Sequence, residues 1–193
     1  MTSKLKLIYK KPWFFTLSFV ALAFTLYYFN YFFIGLVNKG GGYYSPFLDR
    51  YLNYPHWLQQ ILLKGASVLL HLFGIDNFVY HDSIKISRGV WVNVGYSCYG
   101  MGIITSFWAF VIAYPYKTVK KKLYFMLTGT LIIILTNVIR IASVGLIFSK
   151  FKTVRQHADL HHDLYNIFAY LVIILMIWSW LKENKKSNVH LGN

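Results

Sequence analysis

Three residue types in this 193-residue chain have both the chemistry and the setting for catalysis: one cysteine, one arginine inside an apolar run, and a short histidine cluster. Cys98 stands in Gly95-Tyr96-Ser97-Cys98-Tyr99-Gly100-Met101-Gly102, at the head of an apolar stretch. The glycines permit a sharp turn into a helix and close backbone approach. The first turn of a helix offers partial positive charge to an anion. With a single cysteine there is no internal disulfide and no multi-cysteine metal site, which leaves a buried thiol, an intermolecular thiol or a nucleophile. Arg140 interrupts an otherwise apolar run, where a guanidinium costs about 2.5 kcal/mol or more and needs compensation. It lies nine residues before Ser149, about 13 Å along a helix, so its side chain can reach towards the level of Cys98, with Asn137 one turn earlier to hold it. His157, His161 and His162 crowd with Asp159 and Asp163 just before the last apolar run. His157 and His161 are four apart and could chelate a metal on a helix, although no second histidine box supports them. Thiol, imidazole and guanidinium together are the parts of a cysteine acyl-transfer site.

These groups need elements that bring them to one place, and the composition says what those elements are. Hydrophobic residues make up 56% of the chain and charged ones only 13%, about half the share in a soluble domain. The net charge of +14 sits beside long apolar runs, so it points to a membrane surface and lipid rather than to nucleic acid. Pro12–Val37 carries no charge over 26 residues, more than the roughly 20 that cross a bilayer, and has no cleavage site after it; it reads as an uncleaved anchor. Residues 97–116, 123–149 and 164–181 are three further apolar runs. The expected architecture is an all-α polytopic membrane protein with about four spanning helices. Residues 56–74 place Gln60, Lys64, Ser67 and His71 on one side and Leu58, Ile61, Leu62, Leu69, Leu70 and Phe73 largely opposite, an amphipathic helix lying in the outer interface or re-entering it. Ile84-Lys85-Ile86 and Val90-Trp91-Val92-Asn93-Val94 alternate around Ser87-Arg88-Gly89 as a small β-hairpin leading to the cysteine.

Positive residues near span ends mark the cytoplasmic side. With four spans, the N-terminal lysines, Lys117 with Lys120 to Lys122, and Lys182 with Lys185 and Lys186 all fall inside. The inner side then holds eleven basic residues and one acid, against eight basic and five acidic in 38–96 and 150–163. Cysteine, arginine and histidine converge on the outer face.

In this order and context the chain resembles the exosortase/archaeosortase family of polytopic membrane cysteine enzymes. Cys98-Tyr99-Gly100 matches the family's Cys-Ser-Gly position with Tyr for Ser, Asn137-Val138-Ile139-Arg140 its Asn-x-x-Arg, and His162-Asp163-Leu164-Tyr165-Asn166 its His segment, with Asn where Gly is common. The resemblance implies one membrane domain over 1–193: an anchor and outer loop (1–55), a catalytic core (56–181) and a basic tail (182–193). It implies that Cys98 attacks the scissile carbonyl of an exported protein's C-terminal sorting tail, made of a short motif, an apolar helix and a basic end. His162 would carry protons, and Arg140 would stabilise the oxyanion or orient the thiolate. Asn137, Gly100, His161 and Asn166 support them, and no metal or cofactor is called for. The setting is the bacterial inner (cytoplasmic) membrane, with the site facing outward. Two other readings fit the same residues: a metal- or haem-binding membrane protein using His71, His157, His161 and His162, and a non-catalytic envelope or exopolysaccharide assembly subunit in which Arg140 holds a phosphate.

Overall fold

The computed structural model describes the backbone of residues 11–40, 42–86, 90–150 and 158–189, and the side chains of these apart from 90, 97, 148–150, 158–166 and 183–189. Helix α1 (Pro12–Val37) begins with proline in its first turn, where no donor is needed, and only Val37 of it is buried. Its aromatic surface is therefore available to lipid. A short α2 (Pro46–Leu52) follows. Asp49 in its first turn accepts from the Tyr44 hydroxyl at 2.8 Å and from Asn53 Nδ2 at 2.7 Å, and the Tyr44 bond in particular holds its carboxyl below the usual range. Asn53 in turn caps α3 (Tyr54–Leu72), its side chain accepting from the His56 amide. Asn30, the polar residue of α1, accepts from the Tyr54 hydroxyl at 2.6 Å, which ties the start of α3 to the far end of α1.

The α3 helix is less simply two-faced than its pattern implies. Leu62, Leu63, Ala66 and Leu70 are buried with Gln59 among them, while Trp57, Ile61, Val68 and Leu72 form a second, exposed apolar row. The buried row packs on α5 (Val119–Lys150). At Gly65 a Cβ would come within 2.9 Å of Val138, so the glycine sets how closely these helices approach.

After α3 the chain forms a three-stranded antiparallel sheet, β1 (Asn77–Tyr80), β2 (Ser83–Ile86) and β3 (Val90–Asn93), in the order β1-β2-β3. The expected hairpin is thus extended by one strand. Phe78 and Tyr80 of β1 lie outside the core, and the β1–β2 connection is two residues long, with His81 at φ +51°. Residues 87–89, the expected turn of the second hairpin, lie outside the described residues. The inner face of the sheet sends Ile84 and Ile86 into a core with Leu62, Leu63, Val138, Ile141 and Ala142.

A second core forms at the other end of the bundle, where Phe107 and Val111 of α4 (Met101–Ala113) meet Phe125 and Ile133 of α5 and Trp180 of α6 (Ala158–Val189). Tyr114 joins three elements there: it packs edge-on to Phe15 of α1 and against Trp180 of α6, while Lys117 lies 5.1 Å over the Trp180 ring. The start of α1, the α4–α5 turn and the far part of α6 therefore share one end of the molecule. Cys98 lies at the opposite end of α4.

Among the described residues, two helices are by length and composition able to cross a bilayer, Pro12–Val37 and Val119–Ile147; Met101–Ala113 and Ile167–Lys182 are shorter apolar helices. The run 97–116, expected as one long helix, is instead broken: a 3-10 turn at Tyr96–Cys98 and Gly100 at φ +72° precede α4. Its 13 helical residues rise only about 20 Å, short of the roughly 30 Å hydrocarbon core.

Candidate active site

The segment carrying Cys98 is pinned by three hydrogen bonds from three places. Gln59 of α3 donates from Nε2 to the Val94 carbonyl at 2.9 Å, the Cys98 amide donates to the Gly95 carbonyl at 2.8 Å, and Asn137 of α5 donates from Nδ2 to the Cys98 carbonyl at 2.7 Å. Gln59 and Asn137 are both buried. A polar side chain buried in an apolar setting needs its partner, so each bond is costly to lose and holds the turn in one geometry. Tyr99 is buried beside the turn and packs against Tyr96 with ring centroids 5.3 Å apart.

Gly100 explains why the turn takes the form it does. Its φ of +72° and ψ of 16° lie in the left-handed region, and a Cβ would stand 3.4 Å from Asn137 Nδ2. A residue with a side chain would be strained in that backbone conformation, although its Cβ would make only an ordinary contact with the amide that holds Cys98. The first turn of α4 then starts at Met101, three residues after the thiol. Cys98 is half-buried and packs against the α3–α5–sheet core.

A cavity of about 460 Å³ opens next to this turn, walled by α1, α4, α5 and α6. Gly100, Gly102, Ser106, Thr136, Asn137 and Arg140 make its polar part, while Phe19, Phe107, Phe110, Ile133, Ile173 and Ile177 line the rest. Arg140 follows Asn137 by three residues, about 4.5 Å of helical rise towards the end of α5 away from the lysine cluster. It is half-buried, and among the described residues its guanidinium has no hydrogen-bond or ion-pair partner. The cavity wall includes Gly100 but not Cys98 itself, so the two halves of the expected site meet at the Asn137 amide: the cysteine turn on one side, the arginine-lined cavity on the other.

Of the sequence-derived candidates, Cys98, Gly100, Asn137 and Arg140 come together in this way. Positions 161, 162 and 166 lie on the α6 backbone, but their side chains are outside the described residues, as is His157 altogether. His71, a candidate of the metal reading, instead lies at the end of α3, its Nδ1 2.9 Å from the Ser67 carbonyl and 3.1 Å from Asn77 Nδ2. Among the described residues no group of three or more His, Cys, Asp or Glu side chains is arranged to hold a metal ion. Sequence reasoning missed Gln59. Its signal was present, since Gln59 precedes Leu62, Leu63, Ala66 and Leu70 on the helical row that turns out to be buried.

Compared with known proteins, residues 41–179 match the family model described as transmembrane exosortase, well over half of the chain. No curated protein and no solved structure matches it. The chain belongs to the transmembrane exosortase family.

Proposed function

We propose that this exosortase is a membrane cysteine peptidase or transpeptidase acting on exported proteins that carry a C-terminal sorting tail. Cys98 attacks the scissile carbonyl as a thiolate and a tetrahedral intermediate forms. Arg140 stabilises its oxyanion, and His162 protonates the departing amine. The resulting thioester passes its acyl group to water or to an amine acceptor at the cell surface, and the thiolate is regenerated. The chain spans the bacterial inner membrane about four times with both termini inside, and the cysteine turn faces outward.

The observation that carries this reading is the Asn137 bond to the Cys98 carbonyl, with the Arg140 guanidinium one turn further on in the adjoining cavity. It joins two of the three reactive groups through one rigid helix. The choice of His162 rests on register. In α6 the half-buried positions include Ala169, Ile173 and Ile177, and stepping back seven residues from Ala169 reaches 162. Position 161 instead continues the row that runs from Phe168 at the cavity wall to Leu175, which is 53% exposed and off that wall, whereas Ala169, Ile173 and Ile177 all line the cavity.

Co-expression with a tailed substrate tests the proposal. Cys98→Ala, Arg140→Ala and His162→Ala are expected to abolish processing, while His161→Ala and His157→Ala keep most of it. Processing that persists in Cys98→Ala sinks the thiol mechanism. Loss in His161→Ala with full activity in His162→Ala reverses the histidine assignment, and equal loss in all three histidine variants restored by zinc favours the metal reading.

A further inference from the structure

Among the described residues, the outer edge of strand β3 is unpaired, and the strand runs straight into the cysteine turn. The register pairs Ser83 with Asn93, Ile84 with Val92, Lys85 with Trp91 and Ile86 with Val90. The Val94 amide donates to the Asp82 carbonyl, which makes 82 and 94 a hydrogen-bonded pair. Because such pairs alternate along an antiparallel ladder, 84–92 and 86–90 are also bonded, while 83–93 and 85–91 are not. The N–H and C=O groups of Trp91 and Asn93 therefore point away from β2. Among the described residues no partner meets them. Both residues are exposed, and Lys85 lies 5.4 Å over the Trp91 ring on the same open face, with Phe78 opposite Lys85 in the next strand.

We propose that this edge is the docking rail for the substrate: the extended segment just before the scissile bond adds as a fourth strand beside β3. The inference rests on the peptidase reading above and assigns the conformation and position of the substrate in it. An edge with two free rungs recognises backbone, so it suits any extended polypeptide, and exposed side chains such as Trp91 and Asn93 then select among sequences. The β3 edge is the right one because the chain leaves it for the nucleophile. From Asn93 to Gly95 is two extended steps and the 3-10 turn adds three short ones, about 13 Å in all to Cys98. An extended peptide covers that distance in about four residues. The residue opposite Asn93 thus lies about four positions from the scissile carbonyl, and the one opposite Trp91 about six. The other edge of the sheet, on β1, is two strands further away, roughly 10 Å. Gln59 fixes Val94 between rail and turn, so the two keep one relative position.

Cross-linking tests the rail without asking for catalysis. Cys98 is the only cysteine, so Asn93→Cys in a Cys98→Ala enzyme carries one thiol. It is oxidised with tailed substrates bearing single cysteines three to seven positions before the cleavage site. The expected result is disulfide formation at alternate positions, strongest near four or six if the even set faces Asn93. An even spread, a repeat of three to four, or no cross-link overturns the rail. Cross-linking of two enzyme copies that substrate does not displace assigns the edge to self-association and overturns it too. In the active enzyme, Asn93→Pro removes a donor on the free edge and leaves the β2–β3 ladder intact, so kcat/KM is expected to fall about fivefold to tenfold, the scale of one net backbone hydrogen bond. Asn93→Ala keeps the backbone donor, so it should lose clearly less than Asn93→Pro, and the difference between the two reads the N–H alone. Equal activity in the two variants also counts against the proposal. The function itself is tested separately: Cys98→Ala that still processes substrate removes the peptidase reading, whereas wild-type processing with no alternating cross-link removes only the rail.

Discussion

Replacing Asn137 with alanine should uncouple Cys98 from α5 while leaving the bundle folded. The side chain is 7% exposed and donates at 2.7 Å to the Cys98 carbonyl, so the variant strands that carbonyl in a mostly apolar setting. Leaving a buried acceptor unpaired costs about 1–3 kcal/mol. The turn can recover part of this by tilting the carbonyl towards water in the cavity, which moves the thiol with it. If the full cost falls on the reactive geometry, kcat/KM drops roughly 5- to 150-fold. Asn137→Asp should do at least as badly, because a carboxylate cannot donate to the carbonyl and its charge is poorly solvated there. Two measurements decide: processing of a tailed substrate, and the rate at which a small maleimide alkylates Cys98 in membranes. Both should change in Asn137→Ala, with thermal stability in detergent lowered by no more than the lost bond explains. Gln60→Ala is the control, since half-buried Gln60 donates to the carbonyl of exposed His81, away from the cysteine turn, and should leave both rates alone. If Asn137→Ala processes substrate and reacts with maleimide as wild type does, the bond does not set the geometry of the site and the reasoning fails.

Gly100→Ala should lower processing at least fivefold, because the left-handed backbone costs an alanine about 1–2 kcal/mol; a glycine-like rate would show that the turn relaxes freely. Gly129→Ala would drive a methyl into the Phe107 ring at the other core, so its expected signature is a lower melting temperature in detergent with Cys98 alkylation unchanged after mild solubilisation. The Asp49 carboxyl is held low first by the Tyr44 hydroxyl and then by Asn53, so its contribution is present above the ordinary carboxylate range and is lost as pH falls through the lowered folded value. Asp49→Asn should flatten that acid-side loss of stability, and an unchanged acid profile would count against it. Labelling of a cysteine placed at position 120 in the Cys98→Ala background should require a membrane-permeant reagent; strong labelling by an impermeant one from outside would invert the topology.

Which parts of the molecule the sequence made legible depends on the range of the force that builds them. The long apolar runs were readable because a helix that hides its backbone from lipid needs only local residues. Pro12–Val37 is observed at the same limits, and Val119–Lys150 contains the expected run 123–149. The pairing of Ile84-Lys85-Ile86 with the strand after it was readable for the same reason, since period-two alternation is local. Strand β1 escaped because Phe78 and Tyr80 put their aromatic side chains on the open face, which blurs the alternation that marks a half-buried strand. The run 97–116 misled through composition. Its residues are apolar throughout, yet one left-handed glycine divides it, and hydropathy does not register a backbone angle. That division is what gives the site its form. An unbroken helix would have left the Cys98 carbonyl bonded within its own ladder, with no acceptor to offer Asn137. Because the helix starts only at Met101, the carbonyl is available and α5 can hold it. Asn-x-x-Arg thus makes physical sense as a unit: the asparagine fixes the backbone of Cys98, and the arginine one turn on lines the cavity beside it.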